Sequence, residues 1–61
     1  MIEYRAYIVR ADGHFIGFEP LICHDDAEAA AEAQRLNDGH DIEVWNCERL
    51  VIRLSHEKNQ P

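Results

Sequence analysis

Apolar and polar residues alternate along two parts of the chain, and a run of alanine and acidic residues separates these parts. Such alternation is typical of β-strands, because successive side chains point to opposite faces of a sheet. The pattern predicts strands over Glu3 to Val9, His14 to Cys23, His40 to Trp45 and Arg49 to Leu54. We therefore expect two pairs of strands, one on each side of a helix.

The segment DDAEAAAEAQRLND, residues 25–38, predicts that helix. Asp25 precedes the alanines and Glu28 follows three residues later. The Asp25 carboxylate can accept a hydrogen bond from the Glu28 amide, while the Glu28 side chain reaches back to the amide of Asp25. This capping box marks the start of the helix. At the other end, Gly39 follows Leu36 closely enough to predict a left-handed stop.

One side of the predicted helix consists mostly of alanine. At about 100° per residue, Ala29, Ala30, Ala33 and Leu36 share one arc. An alanine surface lets a helix approach a sheet closely, but it buries little area per residue. The strands must therefore supply most of the core.

The loop around Asp12-Gly13 decides which residues of the second strand face the helix. A two-residue loop would pair Ala6 with Glu19 and Ile8 with Gly17, which mixes apolar and polar positions. A three-residue loop with a left-handed Gly13 groups the apolar residues better and is favoured. Its pairs are Ile8 with Ile16, Ala6 with Phe18, Val9 with Phe15, Tyr7 with Gly17, and Arg5 with Glu19.

These elements predict an α+β fold of the order ββαββ, in which two β-hairpins flank one helix that packs on one face of a mainly antiparallel sheet. Residues 1–54 form the single domain and residues 55–61 a flexible C-terminal tail. Pro20 cannot donate to a strand ladder, which places the second strand at a bend or an edge. Strand order stays open. The residues predicted to face the helix are Tyr4, Ala6, Ile8, Ile16, Phe18, Ile42, Val44, Leu50 and Ile52.

The other face of the sheet predicts an interaction surface. One helix covers only one face, and an exposed aromatic patch marks a contact site. We therefore expect a homodimer, or contact with an unidentified protein partner, through this face or a free strand edge. Glu19 or Glu43 of one copy could meet arginines of the other at the rim. The predicted surface residues are Tyr7, Val9, Phe15, Trp45, Val51, Arg5 and Arg53.

Length and charge narrow the possible classes of protein. A chain of 61 residues makes one domain. A domain of this size buries only about 60 % of the surface that its unfolded form exposes, which favours a partner. Twelve acidic residues against six basic ones give a net charge of −6, which would repel a phosphate backbone. Binding to nucleic acid is therefore not expected.

The chain is expected to be cytoplasmic and to have no membrane contact. Met1 leads directly into alternating sequence, without the basic start and apolar run of a secretion signal. No apolar stretch approaches membrane-spanning length. Cys23 and Cys47 are fewer cysteines than small disulfide-dependent domains usually contain, so we expect reduced thiols.

Neither catalysis nor a cofactor is predicted. Cys23, His24 and Asp25 have the types of a nucleophile, a base and an orienting acid, but consecutive residues at a strand end point in different directions. A metal site lacks the C-x-x-C or H-x-x-x-H spacing of a zinc site. The weak candidates are Cys23, His24 and His40, which flank the two ends of the helix. They support an alternative function as a small-ligand or metal-binding regulator.

Four segments together resemble one group of proteins: EYRAYIV followed by DGH, residues 25–36, the second DGH leading into DIEVW, and RLVIRL. The group consists of short uncharacterised proteins that are abundant in alphaproteobacterial genomes. The similarity spans nearly the whole chain up to Leu54. It implies a bacterial cytoplasmic protein, and it implies no catalytic residue because no activity is established for the group.

Overall fold

The computed structural model describes residues 1–37 and 39–55 and confirms the predicted α+β class. Ser55 is the one described residue of the predicted tail; residues 56–61 lie outside the described part. The elements, in chain order, are β1 (Ile2–Val9), β2 (Phe15–Cys23), α1 (Asp26–Gln34), β3 (Asp41–Asn46) and β4 (Arg49–Leu54). No helix among these residues is long and apolar enough to cross a membrane.

The four strands form one antiparallel sheet in the order β2-β1-β3-β4. The two hairpins join through β1 and β3, where Arg5 pairs with Trp45 and Val9 with Asp41. β2 and β4 are therefore the edge strands. Pro20 lies in β2, so the predicted edge position of this proline is confirmed.

The loop between β1 and β2 has the predicted three residues. The Gly13 amide donates to the Arg10 carbonyl at 2.9 Å, and the Arg10 amide donates to the His14 carbonyl at 2.8 Å. Gly13 has a φ of 94°, a left-handed conformation that glycine adopts without steric cost. The Asp12 carboxylate also accepts from the His14 amide at 3.1 Å. Local turn chemistry therefore fixes this end of the hairpin.

The hairpin register changes one residue beyond the loop. Val9 pairs with Phe15 as predicted, but Ile8 pairs with Gly17, so Ile16 is an extra residue in β2. The remaining pairs follow the register of the rejected two-residue loop. The predicted pairs of Ala6 with Phe18 and Arg5 with Glu19 are therefore wrong. A shift of one residue moves side chains to the opposite face, and Phe18 consequently lies opposite Tyr7, away from the helix.

A second extra residue lies in β4. Val44 pairs with Ile52, whereas the neighbouring Trp45 pairs with Leu50, so Val51 is left between them. Val51 is half-buried and packs against the core, while Leu50 is 46 % exposed. The predictions that Leu50 faces the core and that Val51 belongs to the interaction surface are both wrong. The cause is again a one-residue shift in a strand.

The core lies between the sheet and the alanine side of α1. Ala29 and Ala33 are fully buried, and Leu36 packs against the same cluster, which confirms the predicted helix surface. We call the sheet face under α1 the inner face. Its residues are Tyr4, Ala6, Ile8, Leu21, Cys23, Ile42, Val44, Ile52 and Leu54.

Hydrogen bonds connect the first turn of α1 to the sheet. The Tyr4 hydroxyl donates to Asp26 Oδ1 at 2.7 Å, and Arg49 donates to both Asp26 oxygens at 3.0 and 3.2 Å. The Arg49 bonds lower the pKa of Asp26. Burial, with a contribution from Asp26, raises the pKa of Tyr4 to about 12, so Tyr4 remains a donor at neutral pH.

The helix starts with a modified capping box. The Asp25 carboxylate accepts from the Glu28 amide at 2.9 Å, as predicted. Glu28, however, accepts from the amide of His24 at 2.8 Å instead of the amide of Asp25. The His24 amide lowers the pKa of Glu28. Two backbone amides at this end therefore still have a side-chain acceptor, and one of them belongs to His24, one residue before the predicted donor Asp25.

The helix ends at Gln34, before the predicted stop at Gly39. Gly39 has the expected left-handed φ of 90°, but a tighter turn has already ended the helix. In that turn Arg35 donates to the Glu32 carbonyl at 3.1 Å and Leu36 to that of Ala33 at 2.9 Å.

Candidate interaction surface

We call the sheet face opposite α1 the outer face. In the described part of the chain no helix packs on it, because α1 lies on the other side. Strand alternation and the two register shifts together decide its composition. Its residues are Glu3, Arg5, Tyr7, Val9, Phe15, Phe18, Pro20, Ile22, Asp41, Glu43, Trp45, Leu50 and Arg53.

An aromatic cluster occupies the β1–β2 side of the outer face. Tyr7 stacks on Phe15 with ring centroids 5.3 Å apart and contacts Phe18 at 5.5 Å. The Arg5 guanidinium lies 5.0 Å from the centre of the Phe18 ring, a cation–π contact. Phe15 is 54 % exposed and Phe18 46 % exposed. Large apolar rings are therefore held in fixed positions while much of their surface faces outward.

A pocket of about 260 Å³ lies beside this cluster. Arg5 and Trp45, which pair across β1 and β3, both line it. Tyr7 belongs to both features, since it lines the pocket and stacks on Phe15. Tyr7 also raises the pKa of the Arg5 guanidinium, which keeps its charge. The complete lining consists of Glu3, Arg5, Tyr7, Trp45 and Cys47.

Paired charges form the β3–β4 side of the outer face. Arg53 bonds to Asp41 at 3.0 Å and also to Glu43. The Trp45 indole donates to Glu43 at 3.1 Å, which fixes the orientation of the ring. Arg53 was expected to meet a carboxylate of a second copy. It is instead paired within its own chain, where cross-strand ion pairs stabilise β3 against β4.

The structure changes the membership of the predicted surface. Arg5, Tyr7, Phe15, Trp45 and Arg53 lie on the outer face. Two predicted members contribute little to it: Val9 is 2 % exposed, and the half-buried Val51 packs against the core. Sequence reasoning missed the exposed residues Phe18, Ile22 and Leu50.

One signal for the missed residues was present in the sequence. Pairing Ile8 with Gly17, which the two-residue loop offers, puts Phe18 opposite Tyr7 and Ile22 opposite Glu3. The sequence contains no comparable signal for Leu50. Leu50 and Val51 are both apolar, so the alternation pattern does not show which of the two faces the core.

The metal candidates do not form a site. Cys23 is 1 % exposed, and burial raises the pKa of its thiol, which disfavours the thiolate that binds metals. His24 Nδ1 lies 3.0 Å from Glu28 Oε1 at the start of α1. His40 lies just before β3, beyond the other end of the helix. Within residues 1–37 and 39–55 no group of three or more metal-binding side chains forms.

No protein-family model matches the chain, and no curated protein and no solved structure matches it either. Function is therefore inferred from the outer face itself.

Proposed function

We propose that this protein is a small, non-enzymatic interaction module of the cytoplasm that forms a homodimer through its outer face. One observation carries the proposal: Phe15, Phe18, Ile22 and Leu50 all lie on this face and are each about half exposed. Large apolar side chains left exposed together on one face of a sheet, among polar residues, mark a protein contact. Membership of the alphaproteobacterial group that the chain resembles stays a prediction.

The strand edges are poorly suited to association. β2 carries an extra residue at Ile16 and a proline at Pro20, and β4 carries an extra residue at Val51. Extra residues and prolines interrupt the regular row of donors and acceptors that a second strand would need. These features favour the outer face over an edge as the contact.

The size of the sheet favours a weak dimer. Four strands of about seven residues, about 4.8 Å apart, present roughly 450 Å² in projection, or roughly 900 Å² for two copies. Interfaces of this size belong to transient complexes. The net charge of −6 opposes association, but a Debye length of about 8 Å at physiological salt screens most of it. Fully burying a large apolar side chain contributes about 1.5–3 kcal/mol, so covering the exposed half of one contributes roughly half of that.

Sedimentation equilibrium of the wild type and Trp45→Glu tests the proposal. We expect a concentration-dependent mass between monomer and dimer for the wild type at roughly tens of micromolar, and a monomeric mass for Trp45→Glu. Ala31→Glu is the matched control, because it adds the same charge at an exposed position of α1 and should dimerise like the wild type.

A second variant covers the case in which Trp45→Glu fails to fold. Leu50→Glu changes a side chain that is already 46 % exposed, and circular dichroism should show native structure. It too should be monomeric. A monomeric wild type at roughly 100 µM, or folded variants that all remain dimeric, would show that the outer face is not the contact.

A further inference from the structure

We infer that Phe15 of each copy inserts into the outer-face pocket of the other copy. This inference rests on the homodimer proposed above and specifies its geometry. The exposed ring and the pocket occur on the same surface of one chain, so a twofold contact forms the insertion twice.

The positions of the ring and the pocket fit a twofold axis beside Tyr7. Phe15 pairs with Val9, two residues after Tyr7 in β1. The pocket centres on the pair of Arg5 and Trp45, two residues before Tyr7. Ring and pocket thus lie on opposite sides of Tyr7 along β1, and on opposite sides of β1 across the sheet, since Phe15 belongs to β2 and Trp45 to β3. A twofold axis parallel to the outer face, midway between ring and pocket and perpendicular to the line that joins them, carries each Phe15 to the pocket of the partner.

The pocket offers suitable chemistry for an aromatic ring. Trp45 and Tyr7 provide aromatic walls, and aromatic pairs gain energy beyond their buried area. Arg5 provides a cation for the ring face, as it already does for Phe18 in its own chain. The volume of about 260 Å³ accommodates one phenyl group. Stacking on Tyr7 holds Phe15 in place before binding, which lowers the entropic cost of insertion.

The charges around the pocket are also self-complementary. Glu3 and Arg5 both line it, and within residues 1–37 and 39–55 neither forms an ion pair. Arg53, by contrast, is already satisfied by Asp41 and Glu43. Within its own chain Glu3 already acts on Arg5 through its charge, which helps to raise the pKa of the guanidinium, and both residues are exposed. A twofold axis therefore allows reciprocal contacts of Glu3 with Arg5 between copies.

Isotope-filtered nuclear Overhauser spectroscopy on the wild type tests the insertion without a mutation. An equimolar mixture of ¹³C-labelled and unlabelled chains is used at a concentration where sedimentation shows dimer. We expect intermolecular contacts between the Phe15 ring and the Trp45 indole. Intermolecular contacts that join other residues and omit Phe15 would overturn the insertion while leaving the dimer intact. A monomeric sample would instead refute the proposed function.

A pair of alanine variants adds an affinity measurement. Phe15→Ala should weaken dimerisation about tenfold, the effect of losing one central aromatic contact. Ile16→Ala is the matched control: Ile16 is the next residue of β2 and is 49 % exposed, against 54 % for Phe15, but it is the extra residue of the strand and does not belong to the outer face. Its dimerisation constant should change less than about threefold. Equal effects of both variants would contradict a specific insertion.

Discussion

The two faces of the sheet differ in how far their apolar side chains are buried. The inner face packs against the alanines of α1, and Tyr4, Ile42 and Val44 become fully buried there. The outer face carries larger rings, yet Phe15 and Phe18 remain about half exposed. The chain therefore buries Tyr4 and aliphatic side chains under its helix and leaves phenylalanine rings half exposed on the face that the helix does not reach. This difference supports the proposed contact of the outer face with a second copy.

The polar groups of the two faces differ as well. No polar or charged residue is buried among the described residues, so the core behind the inner face is apolar apart from the hydroxyl of Tyr4. The outer face combines the aromatic cluster with the ion pairs of Arg53. Protein interfaces likewise combine apolar area that is rich in aromatic residues with polar and charged groups.

Matched truncations on the two faces should give the largest contrast. Ile42→Ala on the inner face should lower the free energy of unfolding by about 2–5 kcal/mol, because it removes a fully buried side chain and leaves a cavity. Leu50→Ala on the outer face should change it by less than about 0.5 kcal/mol in dilute solution. Urea denaturation at low protein concentration measures both values.

Raising the protein concentration sharpens this contrast. The cost of Leu50→Ala should grow with concentration, because binding of a second copy stabilises the native state of the wild type. The cost of Ile42→Ala comes from the core of one chain. A Leu50→Ala cost that is large in dilute solution would show that Leu50 supports the fold of the monomer.

A smaller effect is expected at the helix start, which holds α1 on the inner face. Asp25→Ala should lower the free energy of unfolding by about 1 kcal/mol, because the Glu28 amide loses its acceptor. Glu48→Ala removes the same charge from an exposed turn and is the matched control. An unchanged urea midpoint for Asp25→Ala would contradict the capping role, since the bond that it removes is local to the helix.

Sequence alone predicts the features that depend on neighbouring residues. The cap at Asp25, the left-handed Gly13 and the alanine surface of α1 are all confirmed, because each follows from local backbone chemistry or helix periodicity. The ββαββ order is confirmed for the same reason. Strand order depends on long-range packing, and the sequence left it open.

The composition of the outer face was only partly predictable. Its register depends on Ile16 and Val51, the two extra residues in the edge strands. Both residues are apolar and β-branched, and both faces of this sheet accept apolar side chains, so the alternation pattern fits either register. Phe18 and Leu50 were therefore assigned to the inner face, although they strengthen the outer one.

Fluorescence of Trp45 over a dilution series of the wild type tests the central claim most directly. Trp45 is the sole tryptophan and lines the outer-face pocket, so its emission reports on this surface alone. We expect the emission maximum to move to longer wavelength as the protein is diluted from roughly 100 µM, because dissociation exposes the indole to water. An emission maximum that stays constant over the whole series would contradict burial of the outer face by a second copy.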